Sequence, residues 1–277
     1  MLEAHGDGGE LEVESCLLSE PKDPVDLMDR SIGSYRVVRE LGQGGMGTVY
    51  LAHRSDAYEQ EVALKIMRWG FGDAELKERF RRERQILAGL DHPNIAQLLD
   101  GGVSDDGRLY LVMQRVDGEP ITAYCDRHRL DISARLELFC EVCEAVDFAH
   151  RNLIVHRDLK PSNILVAEIG GKAQVKLLDF GIAKLLEEEP SEQTRSEALS
   201  QTRSEARGLT RSEARDKTRS EALWMTPEHA APEQIRGGTV TTATDTYALG
   251  ILLYELLTGA AFSRRGPEPV AARGHDL

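Results

Sequence analysis

Cysteine is scarce in this chain: four residues in 277 are too few to staple a fold of this size, which excludes a disulfide-built scaffold. Long apolar runs are missing as well. The run Tyr247 to Leu257 has about eleven residues against the roughly 18 needed to cross a bilayer, so no membrane span is expected. Positive charge is also deficient. Lys and Arg number 34 against 47 Asp and Glu, and the net charge of −13 argues against a general nucleic-acid binder, which would carry a basic stripe. The N-terminus lacks the basic end and apolar core of a secretory signal, and cytoplasmic residence is the expectation that follows. What remains is an ordinary globular composition, 41% hydrophobic and 29% charged, long enough for one two-lobed domain.

Two of the four cysteines, Cys140 and Cys143, form a C-x-x-C inside Leu136–His150, where apolar residues recur at three- and four-residue spacing. No second C-x-x-C follows, so buried helix cysteines are expected there rather than a zinc or redox pair.

Ile154 to Leu165 concentrates unlike chemistry in a short space. Between two apolar flanks stand an acid, Asp158, a cation two residues later, Lys160, and an amide five residues later, Asn163. Apolar flanks bury and hold such a loop rigid. An acid, a cation and an amide so held can handle a hydroxyl proton, a phosphate and a metal, which suits phosphoryl transfer.

Upstream, residues 1–33 hold nine acids against two basic residues without a sustained apolar period, the pattern of a solvated, disordered tail. From Tyr35 the pattern becomes strand, glycine turn (Gly42, Gly44, Gly47), strand. Glycines there let backbone approach phosphates, though an ordinary glycine-rich hairpin reads the same way. A dinucleotide fold would need a helix after the third glycine, and Thr48–Ala52 is strand-like instead. Lys65 ends the next apolar alternation, Glu61–Met67. Residues 74–90 then read as a helix ended by Gly89 and Asp91-His92-Pro93, with Phe80, Glu83, Leu87 and Leu90 on one face. A carboxylate on a core-facing stripe needs a cation, and Lys65 is the expected partner of Glu83; the alternative is a surface Glu with a helical neighbour. Residues 95–99 and 108–116 read as strands separated by Gly101-Gly102 and Asp105-Asp106-Gly107. The polar connection after Met113 is where a hinge would fall, with backbone groups of Gln114 and Val116 placed to read an adenine edge. Helices are expected near 121–129 and 133–151, then a short strand, Val175–Leu178, ending in Asp179-Phe180-Gly181.

With Ala231-Pro232-Glu233 following all of these in order, the chain resembles the eukaryotic-type serine/threonine protein kinases, in phrasing most like bacterial members, over about residues 35–262. The resemblance implies an α+β, two-lobed protein-kinase-like fold: a small β-rich N-lobe over 34–114 and a partial helical C-lobe over 115–262. It implies ATP and Mg as cosubstrate and metal, and a protein Ser or Thr hydroxyl as acceptor. By the same likeness Asp158 is the catalytic base, and Lys160, Lys65 and Glu83 complete the catalytic set. Asn163 and Asp179 hold the metal. Leu41, Gly42, Gly44, Gly47, Val49, Ala63, Lys65, Met113, Gln114, Val116 and Leu165 line the nucleotide. Thr226 positions the substrate, and Asp245 ties down the loop backbone.

Two departures stand out. The activation segment, 179–233, contains Thr-Arg-Ser-Glu-Ala four times with a period of eight, an internal duplication whose hydroxyls, Thr194, Ser196, Thr202, Ser204, Thr210, Ser212, Thr218 and Ser220, are candidate phosphosites. Lengthening a flexible loop twofold costs only about 0.6 kcal/mol, so the fold tolerates it. The family's last helices have no counterpart after residue 262, and 263–277 reads as a disordered tail. The chain therefore reads as truncated, with low stability, self-association or a missing partner segment expected. The competing reading is a catalytically inactive ATP-binding or interaction module.

Overall fold

The structure is a computed structural model whose described residues are 27–56, 59–68, 74–180 and 228–264. The first 26 residues, all eight candidate phosphosites, Thr226 and residues 265–277 lie outside them.

In the N-terminal half, period-two alternation builds strands β1 (Ser31–Ile32), β2 (Tyr35–Gly44), β3 (Gly47–Arg54), β4 (Gln60–Met67), β5 (Leu98–Val103) and β6 (Leu109–Gln114), with helix α1 (Ala74–Leu87) between β4 and β5. They form one antiparallel sheet in the order β1-β2-β3-β4-β6-β5. Alternation in β4 separates two faces. Val62, Leu64 and Ile66 join an outer cluster with Tyr35, Val37 and Val112, while Met67 packs inward with Phe80 and Leu87 of α1. Lys65 has the inward parity and is buried there. At the start of β3 the backbone lies close against β4: a Cβ at Gly47 would lie 2.2 Å from the Ile66 carbonyl oxygen, so only glycine fits.

The C-terminal half holds β7 (Gly118–Pro120), α2 (Ile121–Arg127), α3 (Ile132–Arg151), a 3-10 turn (Pro161–Asn163), β8 (Ile164–Ile169), β9 (Lys172–Leu177), α4 (Pro232–Ile235) and α5 (Thr242–Thr258). The three strands form a second sheet, β7-β8-β9. Asp131 caps α3 by accepting the Ala134 N–H at 2.9 Å, and α5 ends on Gly259 in the left-handed region. One buried cluster runs from the inner face of the first sheet through α3, β8 and β9 into α5. The α+β, two-lobed expectation is met.

Several boundaries differ from the sequence reading. Order begins before residue 34: Leu27 and Ile32 are buried in the outer cluster, because their apolar side chains cover a sheet face that would otherwise be wet. Strand β5 starts three residues later than expected and contains Gly101 and Gly102. These glycines are strand residues because Tyr110 and Arg84 press against them: a Cβ on Gly101 would stand 2.9 Å from both Arg84 Cδ and the Tyr110 oxygen. Helix α1 stops at Leu87, and Ala88–Leu90 continue as a turn. Strand β8 reads in the sequence only as the apolar flank of the loop. Cys140 is exposed and Cys143 half-buried, since both sit on the flank of α3 away from Leu138, Val142 and Ala145. Arg264 lies beyond the expected boundary at 262 yet is anchored, donating to the Ala230 carbonyl with its guanidinium 6.0 Å from the Tyr247 ring centre.

Helix α5 is buried along one side, through Ala248, Ile251, Leu252 and Leu256, while Leu257 is 44% exposed. Leu252→Ala should therefore cost ~2–5 kcal/mol of unfolding free energy and Leu257→Ala under ~0.5 kcal/mol, read from urea titrations of the two variants. Equal losses would contradict this division of the helix.

Candidate active site

The loop that concentrates chemistry in the sequence is held from below by one carboxylate. Asp245, in the first turn of α5 and 1% exposed, accepts the His156 N–H on Oδ2 at 2.7 Å and the Arg157 N–H on Oδ1 at 2.9 Å. His150, at the end of α3, meets Oδ2 at 2.8 Å through Nε2. These contacts hold Arg157 at a φ of 68°, a left-handed conformation that an L side chain adopts at a cost of about 1–2 kcal/mol. From the other side Gln234 of α4 donates to the Arg157 carbonyl at 2.8 Å. His156 is buried beneath the loop, its Nε2–H donating to the Leu178 carbonyl at 2.8 Å and its Nδ1 accepting from the Asp158 N–H at 3.3 Å. Burial pushes its pKa down, and the nearby Asp245 only partly opposes this, so the ring is a neutral strut. It also packs on Phe180, ring centres 4.8 Å apart, linking the loop to Asp179-Phe180.

Above this support the sequence-expected residues converge. Asp158 Oδ2 lies 2.8 Å from Lys160 Nζ and accepts from Asn163 Nδ2 at 3.1 Å, while the same Nδ2 donates to the Asp158 carbonyl at 2.8 Å. With its amide nitrogen facing Asp158, Asn163 offers its oxygen elsewhere. Leu178 N–H donates to the Asn163 carbonyl at 2.8 Å, so the strand leading to Asp179 is stitched to the loop. Asp179 itself has a φ of 54° and forms an ion pair with Lys65.

That pair differs from expectation. Among the described residues Lys65 meets Asp179, and no ion pair joins it to Glu83. The reason lies in α1: Phe80 and Leu87 occupy the centre of its buried stripe, and Glu83 sits half-exposed beside them. A buried ammonium takes the carboxylate that reaches it.

Of the residues expected to line a nucleotide, Val49, Ala63, Lys65 and Met113 share one side of the first sheet. Val49 pairs with Lys65, and Ala63 with Met113, in adjacent registers. Val49, Ala63, Met113 and Val116 are half-buried, as is Leu165 on β8, while Leu41, Gly42 and Gly44 are exposed and Gly47 is buried in its turn. The Gln114 N–H is taken by the Gln97 carbonyl at 2.8 Å, which leaves edge reading at this residue to its carbonyl. Beside Met113 opens a small pocket lined by Leu87, Leu90, Ile95, Leu98 and Leu111 together with Asp179 and Phe180.

Glu233 of α4 accepts from the Thr244 hydroxyl at 2.6 Å, joining the Ala-Pro-Glu turn to the same α5 turn that carries Asp245. Sequence reasoning missed His150, Gln234 and Thr244, whose partners lie 95, 77 and 11 residues away, on other elements, and carry no local signal. Replacing Asp245 by Asn would turn an N–H₂ toward buried N–H donors. Asp245→Asn should lower the unfolding free energy by about 2–3 kcal/mol, measured in urea, and a change near zero would remove this carboxylate as the loop's anchor.

A protein kinase domain family model matches residues 35–272. Serine/threonine-protein kinase PrkC of Bacillus subtilis is 38% identical over 232 residues, covering 83% of this chain and 31% of the relative. Probable serine/threonine-protein kinase PknB of Lactococcus lactis is 35% identical over 227 residues, covering 81% and 31%. The chain thus spans about a third of the length of the curated relatives it matches. Among solved structures, the PknI kinase domain of Mycobacterium tuberculosis aligns with a TM-score of 0.59 at 27% identity, covering 87% of this chain and 80% of that one. A loop, a lysine strand and the Asp179-Phe180 pair assembled on a two-lobed fold agree with these likenesses, and the chain belongs to the protein kinase domain family, alongside bacterial serine/threonine kinases.

Proposed function

We propose that this chain transfers the γ-phosphoryl group of ATP to Ser or Thr hydroxyls of proteins. The observation that carries the reading is the Asp158 carboxylate, fixed between Lys160 and Asn163 on a loop anchored by Asp245. Asp158 accepts the proton of the acceptor hydroxyl as its oxygen bonds in line to the γ-phosphorus and the bond to the leaving ADP oxygen breaks. Lys160 offsets negative charge on the transferred group. Gly42, Gly44 and Gly47 close over the phosphates. Lys65 holds the α- and β-phosphates, for which it exchanges its present partner, Asp179. Val49, Ala63, Met113 and Leu165 enclose the adenine, and Leu41 covers it. Thr226 positions the acceptor.

The donor chemistry of Asn163 and Asp179, an amide oxygen and a carboxylate, suits a hard divalent cation such as Mg. When bound there, the ion neutralises phosphate charge. A soluble cytoplasmic setting accords with this reading, and none of the described helices is long and apolar enough to cross a membrane.

Transfer of radiolabelled phosphate from ATP to the chain itself or to a basic protein tests the proposal. Wild type should label both, with losses of at least about 10²-fold in Asp158→Ala and Lys65→Met. Equal labelling in all three would overturn it. A second reading, nucleotide binding without transfer, draws on the Lys65–Asp179 pair, which leaves Glu83 unused. It predicts ATP binding by wild type with no label above Asp158→Ala.

We further propose that the Thr-Arg-Ser-Glu-Ala copies are sites of self-phosphorylation, since they set eight hydroxyls beside arginines in the segment where added charge reorganises a kinase. Phosphosite mapping should find phosphate at Thr194 to Ser220 in wild type and none in Asp158→Ala. Equal or absent phosphate in both would end the idea.

A further inference from the structure

Leu27, the first described residue, is buried on the outer face of the first sheet, so the 26 residues before it leave the fold from a fixed point. The turn after β1 reaches β5 across the outer face of the sheet, through the Tyr110 side chain. A Cβ on Gly33, just after β1, would stand 2.7 Å from Tyr110 Oη, and a Cβ on Gly102 of β5 would stand 2.9 Å from the same oxygen. The neighbouring Gly101 meets Arg84 of α1 in the same way. The root of the tail and α1 therefore approach β5 from opposite faces of the sheet, and its free edge lies between them.

This edge has two unspent features. Among the described residues β5 pairs only with β6, which leaves its outer side without a strand partner. On α1, Lys77, Arg81 and Arg84 recur at i, i+4 and i+7, which places all three on one flank, bordering the stripe of Phe80 and Leu87. Arg81 shares the single Glu78 carboxylate with Arg82, at 3.3 and 3.6 Å, so positive charge is in excess. Asp100, the acid on this edge, is committed to the Tyr35 hydroxyl at 2.9 Å and the Gly101 N–H at 2.7 Å.

The tail carries the complement. Its 26 residues hold eight acids and one lysine, and Glu10-Leu11-Glu12-Val13-Glu14 alternates carboxylate and aliphatic at strand period. As a strand, this segment presents all three carboxylates on one face. The twelve residues between Glu14 and Leu27 span up to about 40 Å, against a length of about 21 Å for α1, so the segment reaches.

We propose that Glu10–Glu14 docks in cis along the outer edge of β5, with its carboxylates facing the flank of Lys77, Arg81 and Arg84. Backbone pairing with the edge supplies the contact, and the carboxylates select this edge and this register. The interaction is independent of phosphoryl transfer, and its test reads no activity.

Hydrogen exchange of the full chain, followed by mass spectrometry, decides it. Amides of Glu10–Glu14 and of β5 should exchange about tenfold more slowly in low salt than in about 1 M salt, where the screening length falls to about 3 Å. Glu10→Gln/Glu12→Gln/Glu14→Gln should abolish the protection in both segments, as should Lys77→Glu/Arg81→Glu. Joining Lys77→Glu/Arg81→Glu to Glu10→Lys/Glu12→Lys/Glu14→Lys should restore it. Unprotected tail amides in wild type at low salt would overturn the proposal, as would protection that survives both charge changes. Protection that rises with protein concentration would assign the edge to another copy's tail and overturn docking in cis.

Discussion

Everything at the Asp158 loop depends on one buried carboxylate. Asp245 is withdrawn from water at the start of α5, a placement that costs several kcal/mol for an unsatisfied charge. It is tolerable because the loop presents two backbone N–H groups and His150 adds a third contact. The dependence is mutual. Without the carboxylate the Arg157 backbone has no reason to stay in a left-handed conformation, and without the loop the carboxylate has no donors. Asp158 points where it does because the residue before it is held.

The same logic extends outward through a few shared turns. Thr244, one residue before Asp245, binds Glu233, and Gln234 next to Glu233 binds the Arg157 carbonyl. The Ala-Pro-Glu turn, the first turn of α5 and the Asp158 loop thus close a ring of hydrogen bonds. On the opposite side His156 joins the loop to Leu178 and Phe180, and Asn163 joins it to Leu178. A neutral histidine suits that place, since an imidazolium buried there would need a counter-charge of its own.

At the site itself the two lobes meet through charge, in the Lys65–Asp179 pair. Both residues are placed by strands, Lys65 by the inward parity of β4 and Asp179 by the end of β9. Glu83 is placed by a helix whose buried stripe is centred on Phe80 and Leu87, and a helix can turn or slide more readily than a strand in a ladder. Which carboxylate Lys65 takes is therefore a question about α1.

The sequence by itself determined the order and identity of the parts. Period-two alternation marked β2, β3 and β4. The spacing of Asp158, Lys160 and Asn163 marked the loop, and an apolar stripe marked α3, because these signals are carried by neighbours within one element. Only the tertiary structure decided what those signals cannot hold. Gly101 and Gly102 read as a break, yet they are strand residues, because the side chains that require glycine there come from α1 and β6. Leu27 and Ile32 read as tail, yet they cover a sheet face whose apolar side belongs to later strands. Glu83 read as the partner of Lys65, but a pairing between residues on different elements depends on how those elements pack. The anchoring of the loop by Asp245, His150 and Gln234 likewise joins residues that meet only after α3, α4 and α5 have been brought together, and no local spacing encodes that approach.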